Sequence, residues 1–199
     1  FDYNKGKTII YKYESSKWKQ LGLTMTGTDE NDYFGNSTSL SANGKIIAIG
    51  SYGHDNYKGT VRVYRYKNEW SQVGDDLDGD ETNDYQGWSV ALSSNGLTLA
   101  VGAYGHDNNK GTVRIYNIEP EKTNSINKDS NTSNHKSQSW SKIGNDIDGF
   151  DSNPYRTSSS SGIDGDEGDK QGYSVSLSSD GMILSVGALG HENNKGTVR

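Results

Sequence analysis

The chain contains no cysteine, which excludes a disulfide framework and thiol catalysis while leaving the cellular compartment open. Basic residues are in short supply: 20 Lys and Arg stand against 26 Asp and Glu, a net charge of −6. A nucleic-acid partner would need a basic footprint to displace counterions from phosphates, so none is expected. No apolar run approaches bilayer length, and no membrane span is expected. No basic stretch leading into an apolar segment follows Phe1, so any targeting signal is expected to lie outside these residues. Leu, Ile, Val and Phe together supply only 34 of 199 residues, low enough that composition alone leans toward disorder. Against this stand 25 glycines, 13 tyrosines and 4 tryptophans, with only 2 prolines. Turn-forming glycines with aromatic and β-branched residues between them are an all-β composition.

A fixed internal period decides the architecture. Gly35 to Gly59 (GNSTSLSANGKIIAIGSYGHDNYKG), Gly87 to Gly111 (GWSVALSSNGLTLAVGAYGHDNNKG) and Gly172 to Gly196 (GYSVSLSSDGMILSVGALGHENNKG) hold one register over 25 residues without a gap. After each Lys-Gly comes Thr-Val-Arg, then Tyr64 or Tyr116, then a tryptophan with a glycine four positions on: Trp70 and Gly74, Trp140 and Gly144. Lys5-Gly6, Tyr11, Trp18 and Gly22 repeat the second half alone. The unit is 52 residues in one copy and 85 in the next, the excess falling in polar, low-complexity insertions at about 119–139 and 150–171. Their Asn, Ser and Lys content predicts exposed, mobile loops.

Each unit reads as four strands. Ser89 to Ser93 alternates as a half-buried strand does. Asn95-Gly96, matched by Asn43-Gly44 and Asp180-Gly181, predicts a tight hairpin turn. Leu97 to Ala103 is almost continuously apolar, as in a strand covered on both faces, and Thr112 to Ile118 and Trp140 to Ile147 supply the third and fourth. No helix is expected within Ser89 to Ile118. Four short strands per unit of about 50 residues is the signature of a propeller blade. The expected organisation is an all-β propeller segment of four-stranded antiparallel blades. It divides into a two-stranded partial blade at 1–34, full blades at 35–86 and 87–171, and a three-stranded partial blade at 172–199, thirteen strands in one domain. The faces around Ile9, Tyr11 and Trp18, and around Ile183, Val186 and Val198, are expected to lack a neighbouring blade and to favour association of the chain.

The pattern resembles the FG-GAP repeat, the blade unit of the integrin α-chain propeller and of many secreted or surface propellers. Phe34-Gly35 matches the opening Phe-Gly, and Gly102-Ala103-Tyr104 stands where that family has Gly-Ala-Pro. Gln86 and Gln171 replace the Phe in the other copies, and Tyr52, Tyr104 or Leu189 replaces the Pro. The segment Leu92 to Tyr116 also looks like a WD40 blade, without its terminal Trp-Asp. Several FG-GAP blades carry an Asp-x-Asp-x-Asp-Gly calcium loop between their first two strands. Here that position reads Ser-Ala-Asn-Gly, Ser-Ser-Asn-Gly and Ser-Ser-Asp-Gly, too few carboxylates for a cation that takes six to eight oxygens. No metal or other cofactor is therefore expected.

The most regular polar feature is the loop after the second strand: His54-Asp55-Asn56, His106-Asp107-Asn108 and His191-Glu192-Asn193, each His 19 residues after its opening glycine. Symmetry puts the histidines on different blades, so they are not expected to meet on one ion; a buttress for the turn is the plainer reading. The acidic run from Asp75 to Glu81, with Asp76 and Asp78, is echoed at Asp146 and Asp148 but is Thr24 and Thr26 in the first copy. Asp32, Asp84 and Asp169 precede each opening glycine by three residues, and a hydrogen bond to the following turn is expected of them. His54, Asp55, His106, Asp107, His191, Glu192, Asp76 and Asp78 are thus the candidate ligand-binding residues, on one rim. Trp18, Trp70 and Trp140 recur at one position, where inter-blade packing is the expected role. The Asn36 and Asn131 sequons permit glycosylation, Asn131 being the candidate because it lies in a polar insertion. Gly-x-Ser-x-Gly, His-Glu-x-x-His and Walker phosphate loops are all missing, so no enzyme is expected. The resemblance implies a non-enzymatic binding or adhesion module for a protein or glycan, extracellular or at the cell surface. The alternative is a non-catalytic structural propeller domain of a larger enzyme or surface protein.

Overall fold

The computed structural model describes residues 3–118, 138–149 and 168–190, with the backbone of 197 and 198. Four antiparallel groups of strands follow one another along the chain. The first holds β1 (Lys7–Thr8) against β4 (Met25–Thr26) and β2 (Tyr11–Glu14) against β3 (Lys17–Gln20). The second runs β5 (Ser37–Leu40), β6 (Ile46–Ser51), a one-turn helix α1 (His54–Tyr57), β7 (Thr60–Tyr66), then β8 (Trp70–Gln72) and β9 (Leu77–Asp78), both on the outer edge of β7. The third repeats it as β10 (Ser89–Leu92), β11 (Thr98–Ala103), α2 (His106–Asn109), β12 (Thr112–Ile118), β13 (Trp140–Lys142) and β14 (Ile147–Asp148). The last holds β15 (Gln171–Leu177), β16 (Leu184–Ala188) and β17 (Thr197–Val198).

The expected strands are present, with two corrections. The fourth strand is broken in two around Gly74 and Gly144, which have φ of 76° and 68°. A helical turn, α2, also stands within Ser89 to Ile118, where none was expected. It is a turn of unusual hand: Asp107 and Asn108 adopt φ/ψ of 46°/62° and 56°/47°, and Asp55 and Asn56 of α1 repeat this at 47°/65° and 55°/46°. Asp and Asn tolerate this left-handed region better than most residues, which accounts for their place after each His.

Continuous apolarity in the second strand follows from its neighbours. All six residues of β6 are buried. Ile46 and Ala48 pack with Val90, Leu92, Leu99 and Val101 of the next blade, while Ile47 and Ile49 pack with Ile10 and Phe34 of the preceding group. Alternating side chains of one strand thus fill two inter-blade cores. Val186, expected to lie exposed, is buried, because β16 sets it against Ala91, Ala100 and Val113. Tyr11, Trp18 and Ile183 are exposed as expected, Trp18 at 69%; Val198's side chain lies outside the described residues.

Equivalent contacts fasten each blade to the next. Ser37 Oγ donates to Gly87 O and Ser89 Oγ to Gly172 O, each at 2.7 Å. Trp70 Nε1 donates to Leu21 O at 3.0 Å and Trp140 Nε1 to Val73 O at 3.1 Å, so the recurring tryptophan is an inter-blade anchor. Gly59 and Gly111 bridge the opening residue of the following blade, Gln86 and Gln171, at φ of 77° and 74°. A Cβ at either would run into that residue's backbone, which fixes glycine after the recurring lysine.

Candidate functional site: a rim of His–Asp turns and stacked aromatics

The aspartate before each opening glycine and the histidine of the following loop meet across 22 residues. His54 presents Nδ1 to Asp32 Oδ1 at 2.9 Å, and His106 presents Nδ1 to both Asp84 oxygens at 3.1 Å. Asp32 Oδ2 also accepts from the backbone N–H of Thr28 at 2.8 Å and of Asp29 at 3.1 Å; Asp84 Oδ2 accepts from Asp80 and Glu81 in the same way. These bonds tie the aspartate to the turn that precedes it, not to the following turn as expected. Burial pushes the Asp32 carboxyl up, but the Asp29 N–H, the His54 ring and the Thr28 N–H outweigh it and hold the group below the usual carboxylate range. Asp169 is equally buried; the candidates His191 and Glu192 lie outside the described residues, as do Asn131 and most of both insertions.

The acidic loops reach the same rim. Carboxylate oxygens of Asp76 and Asp78 come within 4.8 Å of a His54 ring nitrogen, as do those of Asp29 and Asp32, and Asp80, Asp84 and His106 form a matching group. Structure therefore brings His54, Asp76 and Asp78 together and sets His106 apart on the next blade. Most of these groups already have protein partners. Asp76 accepts from Arg62 Nε and Gln72 Nε2, each at 2.7 Å, so its role is internal rather than ligand-facing. Asp78 is exposed, and its main-chain oxygen accepts from Gln86 Nε2 at 3.0 Å. Asp55 is exposed on the left-handed turn; Asp107, also exposed, pairs with Lys110 at 2.7 Å.

Arg62 and Arg114 explain the acidic repeat. Arg114 is buried, and its guanidinium donates to Asp146 Oδ2 at 3.0 Å, to Gln86 Oε1 at 2.6 Å and to Asp80. Gln86 stands where the earlier copy has Phe34, which instead meets Tyr64 edge-on. The amide is fully buried and also donates to Leu77 O. Burial pushes the Asp146 carboxyl up, yet Lys142 and Arg114 together hold it down.

At the hairpin turns the side-chain oxygens are spent locally. Asn43 Oδ1 accepts from Ser41 Oγ and Lys45 N–H, both at 2.9 Å, and Ser41 Oγ accepts from Ile46 N–H at 3.0 Å. The Ser93/Asn95 and Ser178/Asp180 pairs repeat this.

A further feature of the rim was not read from the sequence. Tyr33 stacks on Tyr52 at 4.7 Å and 15°, and Tyr85 stacks on Tyr104 at 4.8 Å and 8°. Trp88 joins the pairs edge-on, 4.9 Å from Tyr52 and 4.7 Å from Tyr104, and Tyr173 continues the row 5.7 Å from Tyr104. Tyr57 flanks it, 5.6 Å from Tyr85. Burial, then the neighbouring phenols, pushes Tyr104 up to about 12. The available signal was an aromatic residue at equivalent places beside the glycines: Tyr33 and Tyr85, Trp88 and Tyr173, Tyr52 and Tyr104.

Among the described residues no helix is long and apolar enough to cross a membrane. Comparison with known proteins agrees with this architecture in one segment. The family model of the FG-GAP repeat matches residues 75–116, from the loop before β9 through most of β12. No curated protein matches the chain. The chain is thus mostly β, built of antiparallel four-strand sheets, and at residues 75–116 it carries an FG-GAP repeat, the unit that forms propeller blades.

Proposed function

We propose that the chain is a non-enzymatic binding module, extracellular or at the cell surface, that offers its aromatic and His–Asp rim to a protein or glycan. The observation that carries this reading is the row of partly exposed rings that runs from Tyr33 in the first partial blade to Tyr173 in the last. Aromatic side chains with a polar tip supply large contact area at low conformational cost, which is why they dominate recognition surfaces. Asp32 and Asp146 are held below the ordinary carboxylate range, the wrong direction for a general acid near neutral pH. The His–Asp pairs serve this surface by pinning its loops. A structural role within a larger protein is the second reading, favoured by the open outer faces at Trp18 and Ile183.

The test is a paired screen on arrays of secreted proteins and of glycans, using the chain and its Tyr52→Ser/Tyr104→Ser variant. Binding that is retained by the chain and lost by the variant is expected. Equal signals from both would sink the rim as the binding surface and leave the structural reading.

A further inference from the structure

We propose that two copies of this chain close one ring of six blades, the last strands of each copy and the first strands of the other forming one shared blade; this stands apart from the reading of the rim. Three observations carry it. First, the two incomplete strand groups are complementary halves. β15 and β16 hold the places of strands one and two of a full blade, and β1 to β4 hold those of strands three and four. In the full blades the second strand pairs with the third at six positions. By contrast β16 pairs at two, Gly187 and Ala188, with the two-residue β17, and β2 pairs with β3 alone. Such edges template pairing with another chain, and here they match in register. Tyr64 lies opposite Ile47 and Tyr116 opposite Leu99; the corresponding pair is Tyr11 of one copy opposite Leu184 of the other. β17 stands at the place of β1 and gives way to it.

Second, the contacts that fasten neighbouring blades each have one open half at either end of the segment. Trp70 donates to Leu21 O and lies against Gly22, and Trp140 donates to Val73 O and lies against Gly74. Ile143 and Gly144 are next in that series. Ile143 is 47% exposed, and among the described residues the space beside Gly144 is open, while Trp18, the tryptophan left over, is 69% exposed. At the hairpin turns Gly96 abuts Ile46 of the preceding blade and Gly181 abuts Thr98. Ile183, the third residue at that place, is 71% exposed, and Gly44, the third glycine, has open space beside it. Ala42 N–H donates to Ser94 O at 2.9 Å and Ser94 N–H to Ser179 O at 2.8 Å, so the next step runs from Ser179 N–H to Ala42 O of the other copy. Joining the end of one copy to the start of the other closes all three series in one junction, because each repeats a contact already made between the blades.

Third, counting selects two copies. Each copy supplies two full blades and two halves, the equivalent of three blades. Propellers close with about 4–8 blades; one copy joined end to end gives three and three copies give nine, whereas two give six. A head-to-tail contact that closes after two copies makes a two-fold ring with two identical junctions, and one that does not close makes an open filament.

The experiment is sedimentation velocity with light scattering on the chain over a concentration series. A species of twice the 21.8 kDa chain mass is expected at the upper concentrations, with no ladder above it. Trp18→Ser and Ile183→Asp, at side chains exposed in the single chain, are each expected to weaken the dimer by about tenfold or more with an unchanged circular dichroism spectrum. Removing residues 197–199, which compete with β1, is expected to tighten it. Because the chain has no cysteine, Ala42→Cys chains mixed with Ser179→Cys chains are expected to form a disulfide-linked dimer under mild oxidation, and neither variant alone to do so. This linkage decides the matter if a face substitution proves poorly folded. A monomer at all concentrations, which leaves these faces to a different partner, overturns the proposal. So does an open-ended series of oligomers, a dimer indifferent to both face substitutions, or the lack of the mixed disulfide.

Discussion

Replacing Arg114 by isoleucine isolates the buried charge network of the second full blade. The N-terminal half-blade has Ile9 at the place of Arg62 and Arg114, and Thr24 at the place of Asp76 and Asp146, so the pattern itself exchanges both partners together. Arg114 is 3% exposed and holds Gln86, Asp146 and Asp80. Removing the cation strands Gln86 Oε1 in the core and leaves Asp146 with Lys142 at 2.5 Å. Breaking a buried pair from one side costs about 3–5 kcal/mol. Asp80 is largely exposed and rehydrates, which puts Arg114→Ile near the lower end, about 3 kcal/mol, or a melting point lower by about 6–12 °C for a chain of this size. Adding Asp146→Thr removes the carboxylate that has lost its buried partner and keeps only Lys142, and should return about 1–2 kcal/mol, a coupling measurable as a double-mutant cycle. Equilibrium urea denaturation followed by tryptophan fluorescence, at dilute protein and with unchanged slope, reads all four corners. A single-mutant cost below about 1 kcal/mol, or a double mutant no more stable than Arg114→Ile, would refute the argument.

Glycine positions separate backbone conformation from close approach. Gly44→Ala, at φ of 66° with open space around it, should cost about 1 kcal/mol, whereas Gly59→Ala, pressed on the Gln86 backbone, should cost about 3 kcal/mol or more in the same denaturation assay. Trp70→Phe loses the bond to Leu21 O and should cost about 1–2 kcal/mol, while Trp18→Phe, on an exposed face, should stay within about 0.5 kcal/mol. The folded Asp32 carboxyl is depressed, so its stabilisation is present above the unfolded value near about 4 and is lost as pH falls through the lower folded value. Asp32→Asn should therefore lower stability at neutral pH and flatten the acid limb of the urea midpoint; an unchanged acid limb would contradict this.

Repetition made the blades legible. Gly35, Gly87 and Gly172 head one register, and each strand within it could be read from its own alternation or its own apolar run, because side-chain period and turn chemistry act over a few residues. The tryptophan anchor was readable for the same reason, since a bulky ring at one place in every copy has only the neighbouring blade to fill. His–Asp pairing was half legible: both residues recur, but the bond runs back 22 residues to a turn that precedes the blade. Asp76 shows the limit more sharply. As sequence it is one of five acidic residues between Asp75 and Glu81; its place beside buried Arg62 comes only from the pairing of β9 with β7.

What the sequence by itself determined is the unit: the strands and their order, the Asn-Gly or Asp-Gly hairpin turns and the recurring tryptophan. All of these follow from local propensity or exact repetition. Tertiary structure alone decided the features that differ between copies. Gln86 looks like a lapse from Phe34 until Arg114, 28 residues later, donates to its amide. Tyr52 and Trp88 become neighbours because adjacent blades bring residues 36 apart to 4.9 Å. Contacts of that kind depend on the stacking of whole sheets, whose spacing and twist are set by the combined packing of many side chains and are written in no single segment.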